Sequence, residues 1–87
     1  MQLVVEISLY PLAEQYIGPI QGFIDRLNMY PDIAVKTGAT STLIKGEYAQ
    51  VMAILADEMA RTHAEVGQAI FVCKFLYGDH IDINARY

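Results

Sequence analysis

Asp32–Glu47 reads DIAVKTGATSTLIKGE. Asp32–Thr37 has the pattern of a short strand, and Thr40–Gly46 resumes one. Gly38 lies in the connection and tolerates positive φ, so the two runs are expected to pair as a hairpin. The segments on either side are helical in pattern. Two successive strands between two helices therefore set the order of the whole chain. The same stretch concentrates hydroxyls at Thr37, Thr40, Ser41 and Thr42. A solvated turn and a surface that reads a polar ligand both account for them.

Towards the N-terminus, Gln2–Tyr10 (QLVVEISLY) alternates with period two. Leu3, Val5, Ile7 and Leu9 fall on one face, and Val4, Glu6, Ser8 and Tyr10 on the other. That is a strand, which Pro11 is expected to end. Ala13–Tyr30 places Tyr16, Ile20, Phe23, Ile24 and Leu27 at helical spacing. Proline is tolerated only in a first turn, so Pro19 puts the start of the regular helix near Ile17.

Towards the C-terminus, Gly46–Val66 is rich in Ala, Met, Leu, Glu and Gln, which favour helix. Tyr48, Val51, Met52, Leu55 and Met59 are its expected buried stripe, and Gly67 its stop. Gln68–Tyr77 is the last strand, apolar on both faces, with Gly78-Asp79 after it. Residues 78–87 are a tail or a short edge strand. The order is βαββαβ. It predicts an α+β, ferredoxin-like sandwich: one four-stranded antiparallel sheet with both helices on one face. The whole chain, 1–87, is expected to be one such domain.

The chain has 87 residues, of which 54% are hydrophobic. A domain this small buries only about 60–65% of its unfolded surface. The apolar excess points to a homodimer or a higher homo-oligomer. The last strand adds to this, because its second face also calls for a cover, by another subunit or a ligand. The net charge is −4 with six scattered Lys and Arg. That leaves no electrostatic footprint for nucleic acid. Cys73 is the single cysteine. It cannot form an internal disulfide, which suits a reducing cytoplasm. No apolar run approaches the roughly 20 residues of a membrane span. The first residues, with Glu6 and no basic cluster, do not resemble a leader.

Glu6 stands among strand residues where an unpaired charge is costly. It is either paired with Lys74 or Lys45, or it meets a ligand. Ser8 and Tyr10 share its face. If the third strand lies beside the first, Thr37, Thr40, Ser41 and Thr42 can join them to hydrogen-bond the edge of a flat heteroaromatic ring. Phe75 and Tyr77, near the end of the last strand, can stack on such a ring. His63 suits the end of a helix dipole. The GDHID run around His80 matches no metal-ligand spacing, so no metal and no cofactor are expected. Walker A, GxGxxG and Gly-x-Ser-x-Gly patterns are absent. An acylphosphatase-type reaction needs an anion-cradling Arg near the first strand, and no Arg precedes Arg26. The chain is not expected to be an enzyme.

Four segments taken together resemble a known family: EISLYPL, YIGPIQGFIDRL, TGATSTLIKGEYAQVMAILADEM and AIFVCKFLYGD. They are similar to the YkoF-like proteins that bind thiamine and hydroxymethylpyrimidine, over nearly all of residues 3–79. That family's namesake carries two such domains in tandem, and this chain carries one. The resemblance implies non-catalytic binding of thiamine or its pyrimidine portion, in uptake, salvage or buffering. Glu6, Ser8 and the Thr40–Thr42 run match its motif segments. Rings at Tyr10, Tyr48 and Phe75 can supply stacking and cation–π attraction to the ligand. A dimerising regulatory module of ACT type, with another small metabolite as its ligand, shares the same fold.

Overall fold

The computed structural model describes residues 1–85. The elements run β1 (Gln2–Pro11), α1 (Ile17–Leu27), β2 (Ala34–Thr37), β3 (Thr42–Glu47), α2 (Tyr48–Val66) and β4 (Ala69–Tyr77). They form one antiparallel sheet of order β2-β3-β1-β4. This is the α+β ferredoxin-like arrangement, with β1 and β3 central and β2 and β4 at the edges.

Period-two alternation positions the core. Leu3, Val5, Ile7 and Leu9 of β1 are buried with Ile44 of β3, against Phe23 and Leu27 of α1 and Val51, Ile54 and Leu55 of α2. Phe71 of β4 meets Phe23 edge to face, with ring centroids 5.5 Å apart. This orientation suits the aromatic quadrupoles.

The element ends follow local chemistry. β3 runs to Glu47, one residue past the expected Gly46. The same Glu47 caps α2, where its carboxylate accepts from Gln50 N at 3.0 Å. These hydrogen bonds to Gln50 and Ala49 hold the carboxyl below the usual range. Gly67 ends the helix at φ 75°, a conformation open to glycine. The turn 38–41 does not use such freedom: Gly38 has no positive φ, and its N–H donates to Ser41 O at 2.8 Å. β3 accordingly starts at Thr42 and β2 at Ala34. β1 includes Pro11, which still lies in register with Ala69.

The stripe of α2 differs from the expected one. Val51 and Leu55 are buried, but with Ile54, Glu58 and Thr62. Tyr48, Met52 and Met59 are exposed by 39–45%. The cause is α1. Arg26 donates from Nε to Glu58 Oε2 at 2.6 Å and from Nη2 to Thr62 Oγ1 at 3.2 Å. Tyr30 OH donates to Glu58 Oε1 at 2.8 Å. Those bonds turn the helix so that polar side chains meet between the helices. Tyr48 and Met52 are left over the end of β4.

Residues 78–85 are neither a strand nor a loose end. Gly78 N donates to Gln2 O, Gln2 N donates to Asp79 Oδ1, and Lys45 Nζ donates to Ile81 O. The strap crosses the sheet face away from the helices and buries Ile83 and Val4. This face was expected to need a second subunit or a ligand. The chain itself covers the part around Val4, while Tyr10, Ile70 and Val72 stay about half exposed.

Candidate ligand-binding site

β1 is longer than its partner β3. Their pairing stops at Ile7 opposite Thr42, while β1 continues to Pro11 paired with β4 alone. The backbone of Ser8–Tyr10 therefore has no strand partner on the β3 side. The turn 38–41 and the start of α1 enclose that gap and leave a cavity of about 140 Å³. Ile20, Phe23 and Ile24 of α1 form its apolar wall against Ile7 and Leu9. Helical i, i+3, i+4 spacing puts those three on one face. The Arg26 bonds to α2 hold the helix over the gap.

The polar rim comes from the hydroxyl run. Ser8, Thr37, Thr40, Ser41 and Thr42 all line this cavity. Ser8 Oγ donates to Thr40 O at 3.3 Å, and the Thr42 and Thr37 hydroxyls lie 3.4 Å apart. Thr42 is buried, yet that long contact is its hydroxyl's hydrogen bond among the described residues. Among the described residues no charged side chain lines the cavity. A share of about 30 Å³ per liquid water gives room for a few waters or one small ring.

The remaining expected residues lie elsewhere. Tyr48 and Phe75 do meet, with Leu3, Met52 and Tyr77, in a groove of about 360 Å³. That groove is on the helix side at the Leu3 end of β1, whereas the hydroxyl cavity is at the Leu9 end. Six residues of strand separate them by roughly 20 Å, too far for one small ligand. Glu6 does share a face with Ser8 and Tyr10, as alternation required. Its carboxylate pairs with Lys74 at 3.7 Å and is 40% exposed. It lines a separate cavity under the strap. Lys45, the other expected partner, is engaged with Ile81 O instead. Tyr10 is 55% exposed and lies in register with Ile70 of β4.

Helical spacing alone does not show that Ile20 and Ile24 line this cavity while Phe23 beside them also belongs to the core. The sequence reading missed the unpaired edge of β1, which depends on where β3 stops. Cys73 sits opposite Ile7 on the helix side, and burial pushes its thiol pKa up. That makes it a poor nucleophile. His63 Nδ1 lies 3.0 Å from Gly67 O at the end of α2. Among the described residues, no three or more His, Cys, Asp and Glu side chains come together as metal ligands. None of the described helices is long and apolar enough to cross a membrane.

No family model and no curated protein matches the chain. Solved structures do. A Thermotoga maritima protein described as a candidate for thiamine biosynthesis or salvage superposes with TM-score 0.81 at 15% identity, covering 88% of this chain and 84% of its own. A Streptococcus pneumoniae protein gives 0.84 at 20% identity, over 95% and 93% of the two chains. A hypothetical protein of Methanocaldococcus jannascii gives 0.78 at 18%, over 93% and 84%. At these identities the likeness is one of fold.

Proposed function

We propose that the chain binds thiamine through its pyrimidine portion, or free hydroxymethylpyrimidine, without catalysing a reaction on it. The unpaired edge of β1 beside the hydroxyl rim is the observation that carries this reading. An aminopyrimidine presents an amine donor next to a ring-nitrogen acceptor. A strand edge presents N–H and C=O groups that complement such a pair. Ser8, Thr37, Thr40, Ser41 and Thr42 add hydroxyls that donate or accept. Ile20 and Ile24 offer apolar surface to the ring face. A neutral lining favours the neutral pyrimidine over the thiazolium cation or a phosphate. The fold shared with the Thermotoga maritima protein, described as a candidate for thiamine biosynthesis or salvage, agrees with this reading.

The role is uptake, salvage or buffering in the cytoplasm, and the working form is a homodimer. β4 is an edge strand with Phe75, Leu76 and Tyr77 exposed by 41–77%. An uncovered apolar edge is a template for a second strand.

The test is a thermal-shift series with hydroxymethylpyrimidine, thiamine and thiamine diphosphate. A ligand at a hundredfold excess over its dissociation constant stabilises by about 2.7 kcal/mol. In a domain of this size that raises the melting temperature by roughly 10–20 °C. Hydroxymethylpyrimidine and thiamine are expected to shift it, and the diphosphate to do no better than thiamine. Thr42→Val keeps the shape and removes one rim hydroxyl. It is expected to weaken pyrimidine binding about tenfold, the scale of one lost hydrogen bond. No shift with any of the three ligands refutes the proposal.

A further inference from the structure

The free edge of β4 presents its backbone groups on one set of residues. Gly78 N donates to Gln2 O, and Leu12 N donates to Gln68 O. Both pairs keep the register that sets Leu3 opposite Tyr77 and Pro11 opposite Ala69. In an antiparallel ladder the residues that bond a given neighbour alternate along the strand. The even-numbered residues of β4 therefore bond β1. Ala69, Phe71, Cys73, Phe75 and Tyr77 direct their N–H and C=O groups away from it. Nothing in this strand blunts the edge. Ala69–Tyr77 runs nine residues in unbroken register without Pro or Gly, and Lys74 is its one charged side chain. The opposite edge, β2, has only four residues. Ile70, Val72 and Leu76 of β4 are exposed on the open face, and Phe75 and Tyr77 on the helix side. The strap runs from Gly78 towards Lys45 of β3, away from this edge. A long apolar edge is a template for another strand. A small ligand on one face would leave the other face and the backbone groups uncovered, whereas a second β4 meets all three.

Two-fold symmetry restricts how such strands can pair. The same patch serves both copies, so if one residue faces another, the second also faces the first. The outward groups sit on odd-numbered residues, so odd must face odd. Pairing about Cys73 is the register in which all nine residues gain a partner. It sets Phe71 opposite Phe75, Ala69 opposite Tyr77 and Cys73 opposite its own copy, all on the helix side. On the open face it sets Ile70 opposite Leu76 and Val72 opposite Lys74. A ring then meets a ring, and the exposed Tyr77 meets the small Ala69.

We propose that a second copy of this chain pairs through β4, antiparallel and centred on Cys73, so that the two four-stranded sheets become one. The axis stands perpendicular to the sheet, which keeps the helices of both copies on one side. The strand with two apolar faces is thereby buried on both. This inference rests on the homodimer of the reading above but not on its ligand.

The experiment combines sedimentation of the full chain with isotope-filtered NOE spectra of mixed labelled and unlabelled protein. Backbones approach most closely in the non-hydrogen-bonded pairs. Intermolecular NOEs are therefore expected between Hα of Val72 and Hα of Lys74 in the second copy, and between the Phe71 and Phe75 rings. Two variants of the exposed Val72 test the register by charge. Val72→Glu sets a carboxylate opposite Lys74 twice per dimer, and Val72→Lys sets an ammonium there. Val72→Glu is expected to dimerise at least about fourfold more tightly than Val72→Lys. Overall charge works the other way, since the chain already carries −4 and the Glu variant adds to it. Far-UV circular dichroism checks that both variants are folded. A monomer at the concentrations of the NMR sample overturns the proposal. NOEs in another register, or Val72→Glu dimerising no more tightly than Val72→Lys, overturn it too and leave the homodimer of the earlier reading standing. A failed thermal-shift series refutes the pyrimidine ligand and changes none of these outcomes, so the two failures are distinct.

Discussion

Arg26→Met tests what holds α1 over the hydroxyl cavity. Glu58 is 2% exposed and receives Arg26 Nε at 2.6 Å. Removing the guanidinium leaves that carboxylate with Tyr30 OH at 2.8 Å and with Arg61 at 3.6 Å from an exposed position. Breaking a buried ion pair on one side costs about 3–5 kcal/mol. The two surviving partners place this case at the lower end, near 3 kcal/mol. The ion pair of Arg26 with Glu65 at 3.1 Å is half exposed on the Glu65 side and adds no more than about 1 kcal/mol. For a chain of this length a loss near 3 kcal/mol lowers the melting temperature by roughly 12–24 °C. Urea unfolding followed by circular dichroism measures it directly. The double variant Arg26→Met/Glu58→Leu removes both charges and is expected to recover most of the loss, because no charge stays buried without a partner. A cost below about 1 kcal/mol for the single variant, the scale of a surface pair, would refute the reasoning. So would a double variant no more stable than the single one.

Three further outcomes are expected. Gly78→Ala puts a Cβ 2.7 Å from Val4 Cγ2 and 3.2 Å from Val4 N, so it should cost about 1–3 kcal/mol and lift the strap. Faster amide hydrogen exchange at Gly78 and Ile81, whose N–H groups are bonded in the strap, reads the lift. Glu47 is held below the usual carboxylate range, so its stabilising effect is present above that range and lost as pH falls through its folded value; Glu47→Gln should flatten this acid limb in a pH series of melting temperatures. Tyr30 is raised, first by its bond to Glu58 and then by burial, so its contribution is present below the usual phenol range and lost as pH rises through the folded value. Tyr30→Phe should remove that alkaline loss, which pH-jump unfolding measures.

Much of the fold was legible because backbone periodicity is local. The alternation of Gln2–Tyr10 named the core face of β1 residue by residue, and the hairpin in Asp32–Glu47 established the element order. Gly67 marked the end of α2, since a positive φ suits glycine. The stripe of α2 was legible only in part. Tyr48, Met52 and Met59 are as apolar as Val51 and Leu55, and hydrophobicity alone cannot say which flank of a helix meets its neighbours. Arg26 and Tyr30, from another element, turned Glu58 and Thr62 inward instead.

The candidate site divides the same way. Ser8 and the Thr37–Thr42 hydroxyls converge because strand pairing follows from the βαββαβ order, which the residues themselves encode. Glu6, Tyr10, Tyr48 and Phe75 were expected beside them and lie apart. Which face a side chain takes is local, but which cavity it lines depends on where a neighbouring strand stops and what crosses the sheet. The sequence by itself determined the elements, their order, the alternation of β1 and the hydroxyl-rich hairpin. Only the tertiary structure decided that β1 outruns β3 and leaves an unpaired edge, that a polar cluster sets the turn of α2, and that residues 78–85 strap the open face. Those are contacts between residues far apart in the chain, and no local pattern carries them.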